Sequence, residues 1–224
     1  MSLILHLETA TKVCSVALSR DGEQIAIEEI SDDNYAHGEK LTLLIEKVLK
    51  TAGAVTKDLS AVSVSAGPGS YTGLRIGVST AKGLCYALGI PLISVNSLES
   101  MAVLGNQAYP QSNLCPMIDA RRMEVYSAIY ARDLSILKPL SADVLDESSY
   151  GEFGEFVFFG DGAPKAAELW QSRKLVFDKD LAPSASGQVM IAFDKWQKGV
   201  TEDVAYFEPY YLKEFAGTMP KSKS

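Results

Sequence analysis

The run Leu3-Ile-Leu-His-Leu-Glu8, followed by Val13-Cys-Ser-Val-Ala-Leu-Ser19 and Gln24-Ile-Ala-Ile-Glu-Glu-Ile30, reads as three short strands rich in aliphatic and β-branched residues. Asp21-Gly22 between the second and third is a hairpin signal, because both residues tolerate left-handed backbone. A helix is predicted over Glu39–Ala52, where Leu41, Leu44, Ile45, Val48, Leu49 and Ala52 recur along one stripe, and Gly53 is placed to end it. A strand over Leu59–Ala66, a helix over Leu74–Leu88 and a strand over Leu92–Val95 complete the first half.

The second half repeats this order. Strands are predicted over Leu114–Asp119 and Glu124–Ala131, joined by a tight turn, with a third near Ile136. A short helix is expected around Asp146–Phe153, a strand over Phe156–Phe159, a helix including Ala166–Trp170, a strand over Leu175–Phe177 and a closing helix over Ala185–Lys198. A unit of three strands, helix, strand, helix, strand, written twice, predicts an α/β fold of two mixed-sheet lobes. That is the duplicated ribonuclease H-like (ASKHA) architecture of actin, Hsp70 and sugar kinases, with a cleft between the lobes. The expected division is 1–108 for the first lobe, 109–212 for the second and 213–224 for a disordered tail. Within the second lobe, the aromatic run Tyr206-Phe-Glu-Pro-Tyr-Tyr-Leu212 is expected to pack back on the body.

The chain has 224 residues and a formal charge of -7, which lacks the basic footprint of a phosphate-backbone binder. Cys14, Cys85 and Cys115 lie far apart in no ligand spacing, which fits core residues in a reducing cytosol. No apolar run approaches the ~18 residues of a membrane span, and the first residues do not read as a signal peptide. The expected location is cytoplasmic.

Gly67-Pro-Gly-Ser-Tyr-Thr-Gly73 joins a strand to a helix, a place where free backbone N–H groups cradle anions. Its G-x-G-x-x-x-G spacing matches neither common phosphate signature, so an anion cradle and a tight structural turn both remain open. Gly67, Gly69, Ser70 and Gly73, with Glu8 at the end of the first strand, are the cleft candidates. The helix behind the turn carries Gly73, Gly77 and Gly83, each costing roughly 1 kcal/mol relative to alanine. It is apolar nearly all round, with Arg75 and Lys82 its only charges. Burial within the chain and burial against a partner both explain it. Asp119, Arg121, Arg122 and Glu124 form a polar hairpin tip that faces solvent, a cleft or a partner.

Leu5-His-Leu-Glu-Thr-Ala-Thr11, Ala66-Gly-Pro-Gly-Ser-Tyr-Thr-Gly-Leu-Arg-Ile-Gly77, Asp119-Ala-Arg-Arg-Met-Glu-Val-Tyr126 and Pro209-Tyr-Tyr-Leu212 together resemble the TsaB (YeaZ) family over most of the chain. The resemblance implies a non-catalytic subunit that pairs with a TsaD-type (Kae1) catalytic paralogue. A TsaE-type ATPase joins them for threonylcarbamoyl transfer to tRNA adenosine, and tRNA is reached through the complex. It further implies pairing through the two first-lobe helices, with Leu41, Ile45, Leu74, Gly77, Val78, Ala81, Lys82 and Cys85 as interface residues. The same helices would form a homodimer when the chain is alone.

The paralogue's metal-binding His-x-x-x-His pair falls here on Ser97 and Met101, neither a ligand for a divalent ion. His6 and His37 are the only histidines. No metal, cofactor or catalytic residue is therefore expected, and a stand-alone peptidase has no zinc ligands. Ala10 stands where actin-like ATPases carry a phosphate-approaching glycine, which weakens the alternative of a stand-alone nucleotide-binding phosphotransferase.

Overall fold

The computed structural model describes residues 1–31 and 37–213. Two five-stranded mixed sheets carry the fold. The first has β1 (Leu3–Glu8) at its centre, antiparallel to β2 (Val13–Arg20) and parallel to β4 (Ala61–Gly67). The edges are β3 (Glu23–Ser31) and β5 (Leu92–Asn96), giving the order β3-β2-β1-β4-β5. All six residues of β1 are buried, because both faces of this central strand are covered. Asp21 and Gly22 take φ of 51° and 84°, so the β2–β3 turn is the left-handed hairpin that its sequence predicts.

The second sheet repeats this order as β8-β7-β6-β9-β10: β6 (Asn113–Asp119), β7 (Glu124–Tyr130), β8 (Ile136–Val144), β9 (Phe156–Phe159) and β10 (Val176–Asp178). This is the duplicated ribonuclease H-like architecture expected from the repeated pattern.

The helices follow one rule with two departures. In the first lobe, α1 (His37–Thr51) and α2 (Tyr71–Leu88) cover one face of the sheet. The second lobe has α4 (Ala163–Leu169), but the helix expected around Asp146–Phe153 is only a 3-10 turn at Gly151–Phe153. Tyr150 and Trp170 fill the space there, packed on Phe156 and Phe158. The closing helix divides into a 3-10 turn, Ala185–Gln188, and α5, Val189–Gln197.

The second departure is α3 (Ser97–Ala108), absent from the predicted elements. Asn96 caps it, accepting from the N–H groups of Leu98 and Glu99 at 2.9 and 3.2 Å. Leu98, Met101 and Ala102 of α3 pack onto the second sheet with Leu114, Ile118 and Phe159. Ala192 of α5 packs onto the first sheet with Ile4, Ile93 and Val95. Each half thus lends its last helix to the other sheet, and this exchange sets the two lobes across a cleft. Residues 214–224 of the expected tail lie outside the described residues.

Candidate functional site

The cleft encloses about 590 Å³. Ala10, Thr11 and residues 68–72 form one wall, residues 118–121 with Tyr126 and Asp161 the other, and residues 210–213 cross its mouth. A strap brings those last residues there. Glu202 bridges Leu92 at the edge of β5, its N–H donating to the Leu92 carbonyl at 2.8 Å. Lys82 Nζ donates to the carbonyls of Ala205 and Phe207, at 3.1 and 2.9 Å. Tyr210 donates its N–H to the Ala66 carbonyl at 2.7 Å, and Tyr211 sits on Tyr71 with ring centroids 4.8 Å apart. Lys213 then pairs with Glu124 on the opposite lobe. The aromatic run thus packs back on the body, as its apolar character predicts.

The chain's own atoms fill the glycine-rich turn. Gly67, at φ 107°, has the Tyr210 carbonyl oxygen where a Cβ would stand, 2.5 Å away. Gly69 lies in the same way against Ala10, and Ser70 donates its N–H to the Ala10 carbonyl at 2.6 Å. Ser70 Oγ caps α2 by accepting from Gly73 N–H at 3.3 Å, and the Gly73 carbonyl accepts from Thr9 Oγ1 at 2.9 Å. Glycine is needed here for close backbone packing, so the structural turn is the reading these contacts favour over the anion cradle.

Glu8 is 1% exposed and does not line the cleft. Its Oε1 accepts from Ala10 N–H at 2.7 Å, and Gln188 Nε2 reaches Oε2 at 3.4 Å and the Leu7 carbonyl at 2.9 Å. Burial raises the carboxyl above its usual range, partly offset by hydrogen bonds from Ala10, Ser65 and Gln188. Behind it, buried His6 lies 2.7 Å from Ser63 Oγ and 2.7 Å from Ser19 Oγ, while Ser63 donates to Gln188 Oε1 at 2.8 Å. Burial pushes the imidazole down to about 3. This network ties the last helical segment to β1 beneath the cleft floor. It joins residues up to 181 positions apart, so no local motif announces it.

The family model described as "TsaD: tRNA N6-adenosine threonylcarbamoyltransferase" matches residues 30–220. The Escherichia coli tRNA threonylcarbamoyladenosine biosynthesis protein TsaB is 33% identical over 222 residues, covering 94% of this chain and 94% of that protein. The chain belongs to the TsaB family. The Bacillus subtilis TsaB is 35% identical over 62% of this chain, which spans 60% of that relative. The solved structure of YeaZ from Pseudomonas aeruginosa superposes with a TM-score of 0.80 at 26% identity, covering 95% of this chain and 100% of that one. The ADPNP-bound activator of 2-hydroxyisocaproyl-CoA dehydratase from Clostridium difficile shares the fold alone, with a TM-score of 0.52 at 11% identity over 90% of this chain.

Within this TsaB-family chain, most of the side chains expected at a partner interface point inward. Leu41, Ile45, Leu74, Val78, Ala81 and Cys85 are between 0% and 5% exposed, in their own lobe's core. Gly77 packs on Thr9, and Lys82 is engaged by the strap. The helical stripe correctly marked a buried face, but the covering surface is the chain's own sheet. The outer face of the same helices carries Leu43 and Tyr86, 62% and 85% exposed, and the exposed Gly83, where among the described residues a side chain would meet nothing within 4 Å.

Ser97 and Met101 are each 1% exposed. Met101 packs against Gly160, and the Ser97 and Ser100 hydroxyls are buried without a hydrogen-bond partner among the described residues. Among the described residues, no three His, Cys, Asp or Glu side chains gather as a metal site. Burial raises the thiols of Cys14 and Cys85 to about 11 and that of Cys115 further still. No helix among the described residues is long and apolar enough to cross a membrane.

Proposed function

We propose that the chain is a non-catalytic partner subunit of the cytoplasmic assembly that transfers threonylcarbamoyl to tRNA adenosine. In this reading it pairs with a TsaD-type catalytic paralogue through the outer face of α1 and α2, alongside a TsaE-type ATPase. Alone, it forms a homodimer through the same face.

The observation that carries the pairing is Gly83. A glycine inside a helix costs roughly 1 kcal/mol, and among the described residues nothing packs against it. A second helix crossing closely at that point gives the missing side chain a reason. Leu43 and Tyr86 on the same side supply the apolar surface such a contact buries. The non-catalytic part draws support from the filled glycine-rich turn, the sealed Glu8, and Ser97 and Met101 packed into the core.

Light scattering on a sizing column, with the TsaD-type protein from the same source, tests the pairing. The wild-type chain should form a stoichiometric complex, and tRNA modification with the ATPase subunit supplied should require it. Gly83→Arg should abolish the complex without lowering the stability of the dilute chain. A complex that survives Gly83→Arg sinks the assigned face, and modification that proceeds without the chain sinks the role.

A further inference from the structure

One strained element lies on the cleft wall, away from the outer face of α1 and α2. Arg121 and Arg122, at the tip of the β6–β7 hairpin, take φ of 71° and 51°. Left-handed backbone costs a residue other than glycine roughly 1–2 kcal/mol, and asparagine and glycine tolerate it far better. Both arginines are exposed, and among the described residues neither guanidinium has an ion-pair partner. The acids around them are already engaged: Asp119 pairs with Lys165 at 3.0 Å, Glu124 pairs with Lys213, and Asp161 accepts the Asp119 N–H at 3.0 Å. On a chain of net charge -7, two adjacent cations are thus held outward in a backbone conformation they disfavour.

Beside them the cleft presents aromatic faces. Arg121 and Tyr126 line one wall, and Tyr210 and Tyr211 line the cleft across from them, while the Tyr71 ring is already engaged by Arg75 and Tyr211. Guanidinium groups next to tyrosine rings suit phosphodiesters and the unstacked bases between them. Two arginines in succession on a projecting tip fit successive phosphates of a strand better than one enclosed anion. In the glycine-rich turn, Gly67 and Gly69 are packed by Tyr210 and Ala10.

We infer that the Arg121–Arg122 tip and the tyrosine-lined cleft beside it form a direct RNA contact, holding backbone phosphates of a single-stranded segment of the tRNA. This rests on the proposed place of the chain in a tRNA-modifying assembly, and it adds a contact made by this subunit itself.

The double variant Arg121→Asn, Arg122→Gly tests it, because it removes both charges while giving the turn residues that accept its backbone. Labelled tRNA is titrated by fluorescence anisotropy at several salt concentrations, with the assembly and with the chain alone. Complex formation is read in parallel on a sizing column. The variant should assemble normally and melt no lower than wild type. Its tRNA affinity should fall on the order of tenfold, and the slope of log K against log salt should be shallower by about 1.4, two single-strand phosphate contacts. Arg121→Lys, Arg122→Lys should keep most of the slope. Equal affinity and slope for wild type and the Asn-Gly variant overturn the inference. If no complex forms, the pairing proposal falls, and the chain-alone titration then decides: the same slope change supports the contact, and unchanged or absent tRNA binding overturns it.

Discussion

The side chain of Thr9 occupies the space that a Cβ on Gly77 would need, and its hydroxyl donates to the Gly73 carbonyl at 2.9 Å. That contact presses the first turns of α2 against the end of β1. It separates two glycines of one helix that composition alone makes equivalent. Gly77→Ala gains roughly 1 kcal/mol of helix propensity but drives a methyl into Thr9, an overpacking of about 1–3 kcal/mol. The expected net result is a loss of up to about 2 kcal/mol. Gly83→Ala meets nothing among the described residues and should stabilise the chain by about 0.5–1 kcal/mol. Urea melts of the two variants check this, and shifts of equal sign would contradict the assigned contacts.

Side chains on the inner face of α1 and α2 should report stability directly. Leu41 and Leu74 are each 1% exposed within the first-lobe core. Truncating either to alanine should cost about 2–5 kcal/mol. Leu43→Ala, on the outer face of α1, should fall within about 0.5 kcal/mol of wild type. Chemical denaturation with the chain dilute enough to be monomeric distinguishes them. A Leu41→Ala chain of wild-type stability would show that the α1 stripe does not face this sheet.

Much of this fold was legible in the sequence because each half repeats one hydrophobic pattern. The predicted bounds of β1 and β9 coincide with those observed. Helix α3 was hidden because Ser97 and Ser100, both buried, interrupt its apolar stripe, although the Asn96 cap was a readable signal. Periodicity shows which side of a helix is buried, not what buries it; the resemblance implies a partner over Leu41, Ile45, Leu74 and Val78, and the chain itself buries them. The cleft candidates divide for a related reason: Gly69 and Ser70 line the cleft, and Glu8, Gly67 and Gly73 do not. A glycine-rich turn reads alike whether its glycines admit a phosphate or, as at Gly67 and Gly69, the backbone of Tyr210 and Ala10. Arg121 and Arg122 were visible as charges, but their left-handed backbone is set by the hairpin and has no sequence signal.

His6 gives the fold an acid-side weakness with a definite sign. Burial lowers its pKa from 6.5 to about 3, so between those values the unfolded chain binds a proton that the folded chain refuses. Stability from this residue is complete above the unfolded value and is lost as pH falls toward the folded one. Glu8, with a raised pKa, titrates in the opposite sense, losing stability as pH rises above the ordinary carboxylate range. Replacing His6 by glutamine keeps a donor and an acceptor near Ser63 and Ser19 without the titration. Between about pH 6 and 4, wild type should therefore lose stability faster than His6→Gln, by up to roughly 1.4 kcal/mol per pH unit. Parallel curves would mean that His6 is protonated in the folded chain.

Asp143 anchors the part of the second lobe that has no counterpart to α1. It accepts from Lys138 Nζ at 2.7 Å, Tyr150 hydroxyl at 2.7 Å, Ser127 Oγ at 2.8 Å and Ser141 Oγ at 2.9 Å. Burial acts to raise its carboxyl, but these four donors outweigh it and hold the carboxyl below the usual range. Removing Asp143 leaves Lys138, 14% exposed over the Tyr150 ring, without its counter-charge. Asp143→Ala should therefore cost about 3 kcal/mol, toward the lower end for a broken buried pair because Asp143 keeps some solvent contact. Lys138→Met combined with Asp143→Ala should recover part of that loss, since no unpaired ammonium remains. A double variant no more stable than Asp143→Ala would instead assign the loss to the hydroxyls of Ser127, Ser141 and Tyr150, which lose their shared acceptor.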